Sequence, residues 1–254
     1  PRRAPIIPRR RCHADFVLSL AYPTVRCTGD YVYVVVPESR SVQDFLKAVF
    51  TLEQETERVS TNALADALKV KAPSVTDMAR RLESAGLLHY EKYRGMTLSA
   101  EGRRVALGVL RRHRLIELYL MSELGYELYE VHAEAEQLEH VVSEKFVEAI
   151  AQRLGNPNLD PHGDPIPNAD GVMIQRDLQP LSELTEHTRA RVAQLRTEQS
   201  DLLQHLQDRG LMLNAPVEVL SREPFHGPLT VLIGDTERTI GHQVAQAVWV
   251  EISL

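Results

Sequence analysis

The sequence predicts a mainly α-helical fold with small β parts, and three observations predict it. Residues 41–84 carry three successive helical apolar periods separated by turn signals, a short alternating hairpin follows, and the later alternating segments lie within residues 215–252, beyond a proline-rich break. The expected order is a winged helix-turn-helix over 38–103, a helical unit over 104–155, a proline-rich linker over 156–175 and a small β-barrel over 176–254.

The first helix is read in "SVQDFLKAVFTLEQE", with apolar residues at 42, 45, 46, 49 and 52. The second begins at the N-cap types Ser60 and Thr61 and carries Ala63, Leu64, Ala67 and Leu68 on one stripe. In the third, "PSVTDMARRLESAGLL", Pro73 suits a first helical turn, Val75, Met78, Ala79 and Leu82 face inward, and Gly86 stops the helix. "LHYEKYRGMTL" then alternates about "YRG" as a two-stranded wing, and a further helix starts at Ser99. Residues 103–121 and 130–154 give two long helical patterns, broken at Gly125 in "SELGYEL". After the linker "GNPNLDPHGDPIPNADG" a helix is expected around 190–209, ending at Gly210, with strands in "APVEVLS", "PLTVLIG" and "AVWVEI". Residues 1–37 stay unassigned. Their prolines, the run "RRR" and the isolated "YVYVVV" show no sustained period, so they are expected to be poorly ordered or a misannotated extension, with Val36 a candidate misread GUG start.

At 254 residues and 43% hydrophobic content the chain can bury a sizeable core. Cys12 and Cys27 make no disulfide framework, the longest apolar run is far too short to span a bilayer, and no signal-peptide layout is present. The expected location is the cytoplasm, with no membrane partner. The net charge of −6 hides a segmentation: residues 41–112 sum to +3 and residues 113–150 to −7. A mildly basic block suits a polyanion, and the acidic block beside it suits a cation.

The acidic block contains "VHAEAEQLEH", residues 131–140. At about 100° per residue, His132, Glu136, Glu139 and His140 share one sector of a helix, beside an apolar stripe of Val131, Ala135, Leu138 and Val142. These could be a solvated charged face. At the edge of burial, however, uncompensated carboxylates repel one another and are costly to desolvate, and a divalent ion removes the conflict. On the preceding helix His113 and Glu117 stand at i, i+4, a common surface pairing that gains meaning from the second cluster. Oxygen and imidazole donors without thiolate point to Mn²⁺ or Fe²⁺.

Packing alone can produce three amphipathic helices. The basic "ARR", the hydroxyls Ser74 and Thr76 and the basic tip "EKYRG" favour DNA docking, with Lys92 and Arg94 as phosphate contacts. The full DNA-facing set is read as Thr61, Lys71, Pro73, Ser74, Thr76, Asp77, Arg80, Lys92 and Arg94. No HExxH, Walker loop or GxSxG elbow occurs, and His187 and His205 read as ordinary surface histidines. Enzymatic activity is not expected. The competing readings are a metal-independent winged-helix protein and, further off, a metal-storage protein or metallohydrolase.

The order of parts, with "APSVTDMARRLESAGLLHYEKYRGMTLSAEGRR", "RRHRLIELYL", "VHAEAEQLEH" and "DPHGDPIP", resembles the DtxR/MntR family of metal-dependent transcriptional regulators across about residues 41–254. The resemblance implies a homodimer that binds double-stranded operator DNA. It also implies a helical metal-binding and dimerisation domain and an SH3-like third domain akin to FeoA. It places a primary metal site on Asp44, Glu136, Glu139 and His140, and an ancillary site on His113, Glu117 and His132, with Glu198 as a third-domain candidate. The iron-responsive branch has methionine and cysteine at the positions of Asp44 and Glu136, so the ligand set looks like the manganese branch, with Fe²⁺ the alternative. That branch has a further carboxylate where this chain has Lys47, which argues against a two-metal manganese cluster of that kind.

Overall fold

A computed structural model describes residues 24–26, 32–34 and 39–252. Two short strands, β1 (Thr24–Arg26) and β2 (Val32–Val34), pair antiparallel. Apart from them, the expectations for residues 1–37 lie outside the described residues. The chain divides into two compact units, Pro1–Ser99 and Ala100–Leu254.

In the first unit, helix α1 (Arg40–Leu52) buries Val42, Phe45, Leu46, Val49 and Phe50. Helix α2 (Thr61–Leu68) starts where the Ser60 hydroxyl accepts the Ala63 N–H at 3.1 Å, and it stops at Lys69 in the left-handed conformation. Helix α3 (Ala72–Ser84) holds Pro73 in its first turn and ends before Gly86, whose φ of +75° releases the chain. The wing follows: β3 (Leu88–Glu91) and β4 (Gly95–Leu98) pair antiparallel with Leu88 opposite Leu98. Met96 and Val59 exchange both backbone hydrogen bonds at 2.9 Å, which ties the wing to the segment before α2. Gly95 is required there, because a Cβ would stand 2.5 Å from the Val59 carbonyl oxygen. Leu46, Leu64, Leu82, Leu87, Leu88 and Met96 are fully buried, each contributing about 1.5–3 kcal/mol of hydrophobic stabilisation.

The second unit opens with α4 (Ala100–Leu124), α5 (Val131–Leu138) and α6 (Glu144–Arg153). The single helical pattern expected over 130–154 is two helices. After the turn at 139–142, Ser143 caps α6 by accepting the Phe146 N–H at 3.3 Å. Leu115, Ile116, Leu120, Val131, Ala135, Val147 and Ile150 form their common core.

The rest is a six-stranded antiparallel sheet with two helices. Its strands are β5 (Gln179–Pro180), β6 (Arg189–Leu195), β7 (Pro216–Arg222), β8 (Leu229–Ile233), β9 (Thr236–Ile240) and β10 (Val248–Ile252), in the order β5-β10-β6-β7-β8-β9. Helix α7 (Ser200–Asp208) follows β6 and α8 (His242–Ala247) precedes β10. The helix expected around 190–209 is therefore corrected: Arg189–Leu195 is a strand and only Ser200–Asp208 is helical. "RARVAQL" buries Ala190 and Val192 in the sheet core and pairs with β10 on one side and β7 on the other, so ladder pairing overrides its helical composition.

Residues 156–175 contain neither helix nor strand, yet they are packed. Asp160, Pro161, His162, Gly163, Ile166 and Pro167 are buried, and the His162 carbonyl accepts the Leu195 N–H at 2.8 Å. Gly163 approaches β6 so closely that a Cβ would lie 2.2 Å from the Ala193 carbonyl oxygen. The segment is a strap held against the sheet.

Candidate metal centre

Helix α4 carries the centre's first half. His113 and Glu117, one turn apart, face the same way, and His113 Nε2 lies 2.9 Å from Glu117 Oε1. Across from them α5 presents His132 and Glu136 and leads into Glu139 and His140 where the helix ends. His113 Nδ1 reaches Glu139 Oε2 at 2.5 Å and approaches Glu136 Oε1 at 3.9 Å, while His113 Nε2 is 3.2 Å from His132 Nδ1. His140 Nε2 lies 3.2 Å from Glu139 Oε1. Glu139 is wholly buried, and Glu117 and His113 are 2% and 5% exposed, so these charges have little water to screen them.

Of the residues predicted for the primary site, one ligand atom each from Glu136, Glu139 and His140 lies within 4.8 Å of the others. Asp44 lies on α1 in the first unit, with its carboxylate 3.8 Å from Arg40 Nε. Of the ancillary set, Glu117 Oε1 meets both His113 and His132, the latter at 3.3 Å. Glu198, on the loop after β6, is largely exposed and stands 3.6 Å from His132 Nε2.

The sequence reading missed two residues. Glu117, Asp160 and His162 converge with ligand atoms within 4.8 Å, all three buried. Asp160 and His162 come from the strap, whose motif "DPHGDPIP" counts toward the family resemblance but yields neither residue as a candidate ligand from the sequence. A usable signal was present: two ligand-type side chains two residues apart, in a loop stiffened by prolines. Glu117 Oε2 lies 3.7 Å from His162 Nδ1, and Arg114 Nε lies 3.5 Å from Asp160 Oδ2. Asp160 Oδ1 accepts the backbone N–H groups of His162 and Asp164 at 2.8 and 2.9 Å, which shapes the strap's turn.

The electrostatics are those of an anionic hole. Burial pushes the Asp160 carboxyl up to about 7, with the Asp164 and Glu117 carboxylates adding to the effect. Burial would also raise Glu117, but the charge and hydrogen bond of His113, with His132 and His162, hold it well below the usual carboxylate range. Burial would lower His162, yet hydrogen bonding and charge from Glu117, then Asp160 and Asp164, raise it. His162 Nε2 is buried with no hydrogen-bond partner among the described residues. Buried carboxylates, imidazoles and an orphaned ring nitrogen fit a divalent cation, and the donor atoms suit a borderline or hard metal.

The residues expected from the sequence to face DNA lie in the first unit. Lys71, Pro73, Ser74, Asp77 and Arg80 are exposed on or beside α3, and Thr61 opens α2. Thr76 is half-buried and donates its hydroxyl to the Ala72 carbonyl at 3.2 Å, so it is committed to its own helix in this structure. Lys92 and Arg94 flank the wing tip, where Tyr93 is 91% exposed at a φ of +68°.

Comparison with known proteins agrees along the chain. Residues 39–96 match the family "Iron dependent repressor, N-terminal DNA binding domain", residues 99–168 match "Iron dependent repressor, metal binding and dimerisation domain", and residues 179–252 match the FeoA domain. The iron-dependent repressor IdeR of Mycobacterium leprae is 33% identical over 227 residues, covering 82% of this chain and 95% of its own. The diphtheria toxin repressor of Corynebacterium glutamicum is 30% identical, covering 70% of this chain and 83% of its own. Among solved structures, a manganese-dependent transcriptional repressor in complex with manganese is similar at a TM-score of 0.78 and 37% identity, over 84% of this chain and 100% of that one. The manganese regulator SloR is similar at a TM-score of 0.68 and 30% identity, over 84% and 98%.

Proposed function

The chain belongs to the DtxR/MntR family of metal-dependent, DNA-binding transcriptional regulators, and from that premise we propose that it is a manganese-responsive repressor of metal-uptake genes. The family is one of repressors rather than enzymes. The observation that carries the choice of metal is the donor set. Glu136, Glu139 and His140 offer oxygen and imidazole with no thiolate or thioether, which suits Mn²⁺. Fe²⁺ is the second reading, favoured by the iron-dependent repressors among the relatives.

Asp44 enters as the fourth primary ligand through the resemblance, and it belongs to the unit that carries α3. One ion bound by Asp44 together with Glu136, Glu139 and His140 favours the DNA-competent state through its higher affinity for that state. A second ion is held at the ancillary set His113, Glu117 and His132, with Asp160 and His162 converging on the same Glu117 and Glu198 standing beside His132. The active species is a homodimer in the cytoplasm, bound to a palindromic operator whose half-sites repeat the dimer's symmetry. Among the described residues no helix is long and apolar enough to cross a membrane.

The test is fluorescence anisotropy on promoter DNA of a manganese-transporter gene, titrating Mn²⁺ and, anaerobically, Fe²⁺, with EDTA and a scrambled duplex as controls. Saturable, salt-dependent binding that needs Mn²⁺ is the expected result. Asp44→Ala retains the fold and loses metal stimulation. Operator binding indifferent to metal sinks the proposal.

A further inference from the structure

Glu139 is gripped twice by consecutive residues of α4. Its carboxylate meets His113, while its backbone carbonyl accepts Arg112 Nε at 3.0 Å. The same guanidinium donates from Nη1 to Glu144 Oε1 at 2.6 Å. Arg112 is 12% exposed, so these bonds are made largely out of water, whereas Glu144 is 77% exposed. Glu139 is the C-cap residue of α5 and Glu144 lies in the first turn of α6. Arg112 thus spans the turn in which the chain leaves one helix and enters the next.

Two effects reinforce each other there. A cation at the C-terminal end of α5 meets carbonyls that the helix leaves unpaired. A planar guanidinium with two acceptors fixes their separation, which a point charge does not. The acceptors bracket Glu139 and His140, two neighbouring residues that must both aim at one ion. We infer that Arg112 is a positioning residue for the metal centre: it locks the α5–α6 turn so that Glu139 and His140 are preset before metal arrives. The role rests on the metal reading of Glu136, Glu139 and His140. Arg112 does not itself touch the ion.

The experiment is Mn²⁺ titration of the full-length protein, followed by the loss of the free-ion electron paramagnetic resonance signal, with amide hydrogen exchange on the metal-free protein. Arg112→Met keeps the apolar stem and removes both hydrogen bonds. Its expected effect is about 10–100-fold weaker Mn²⁺ binding at one equivalent, as for loss of an outer-shell partner, with the other equivalents unchanged. Exchange at residues 140–144 quickens without metal, and Arg112→Lys restores part of the affinity. Glu139→Gln separates the two claims. If it leaves the stoichiometry intact, the metal reading of this site fails. If it removes one equivalent while Arg112→Met matches wild type in affinity and bound-ion spectrum, the role of Arg112 is overturned. Should Arg112→Met not fold, Arg112→Gln, whose amide reaches one acceptor at most, takes its place, and wild-type affinity in that variant overturns the inference equally.

Discussion

His113 Nδ1 and Glu139 Oε2 lie 2.5 Å apart between α4 and the end of α5, in a place where one residue is 5% exposed and the other not at all. His113 also meets Glu117 through its other nitrogen, so a single imidazole separates a carboxylate of the proposed primary set from one of the proposed ancillary set. Replacing it disturbs both. His113→Gln is expected to weaken Mn²⁺ binding at two equivalents, each by about 10-fold or more, in isothermal titration calorimetry. A change confined to one equivalent would show that the two clusters act separately.

Asp160 and His162 supply a pH signature. In the metal-free protein, the Asp160 carboxyl is raised to about 7, and His162 is raised as well. A group whose pKa is raised on folding stabilises the fold below its unfolded value and loses that contribution as pH climbs through the folded value. Glu117 is shifted downward, so its contribution is present above the unfolded value and lost only in acid. The metal-free protein is therefore expected to be most stable in mildly acidic solution and to weaken toward about pH 8. Metal displaces those protons, so the Mn²⁺-induced rise in Tm is larger at about pH 8 than at about pH 6. Asp160→Asn flattens that difference, and differential scanning calorimetry at the two pH values checks it.

The wing tip yields a different kind of number. Lys92 is exposed beside Tyr93 at the apex of the hairpin. As a phosphate contact it positions without specifying, so Lys92→Ala should weaken specific and scrambled duplexes alike. The slope of log affinity against log salt should shrink by about one. An effect limited to the specific operator would instead make Lys92 a reader of bases.

Gly163 tests the strap. With a φ of +86° and the Ala193 carbonyl where a Cβ would go, Gly163→Ala cannot be accommodated without moving the backbone from β6. The expected cost is on the order of 3 kcal/mol, from left-handed strain and the steric clash together. It is read as a lower urea midpoint for the second unit. Loss of one Mn²⁺ equivalent should accompany it, since Asp160 and His162 flank the displaced backbone.

The local signals in the sequence were strongest where contacts are close along the chain. α1 to α3, the hairpin from Leu88 to Leu98 and the start of α4 follow from apolar period, N-caps and Gly86, because each is decided within a few residues. The convergence of Glu136, Glu139 and His140 was likewise foreshadowed by their shared sector on the expected helix, although the helix itself ends at Leu138. β6 was misread because its alternation becomes meaningful only when β7 and β10 arrive, one from beyond α7 and the other from the end of the chain. Asp160 and His162 were missed for the same reason. Their partner Glu117 is more than forty residues earlier, and a proline-rich composition says that a segment is irregular without saying whether it is packed.

That packing changes how the chain can be dissected. Cutting at the end of α6 looks like a clean way to ask what the sheet domain contributes. Because the strap carries Asp160 and His162 back to Glu117, such a cut deletes two donor side chains together with the sheet. A shortened chain that fails to respond to metal would then have two unrelated reasons to fail, and only point substitutions in the strap can tell them apart.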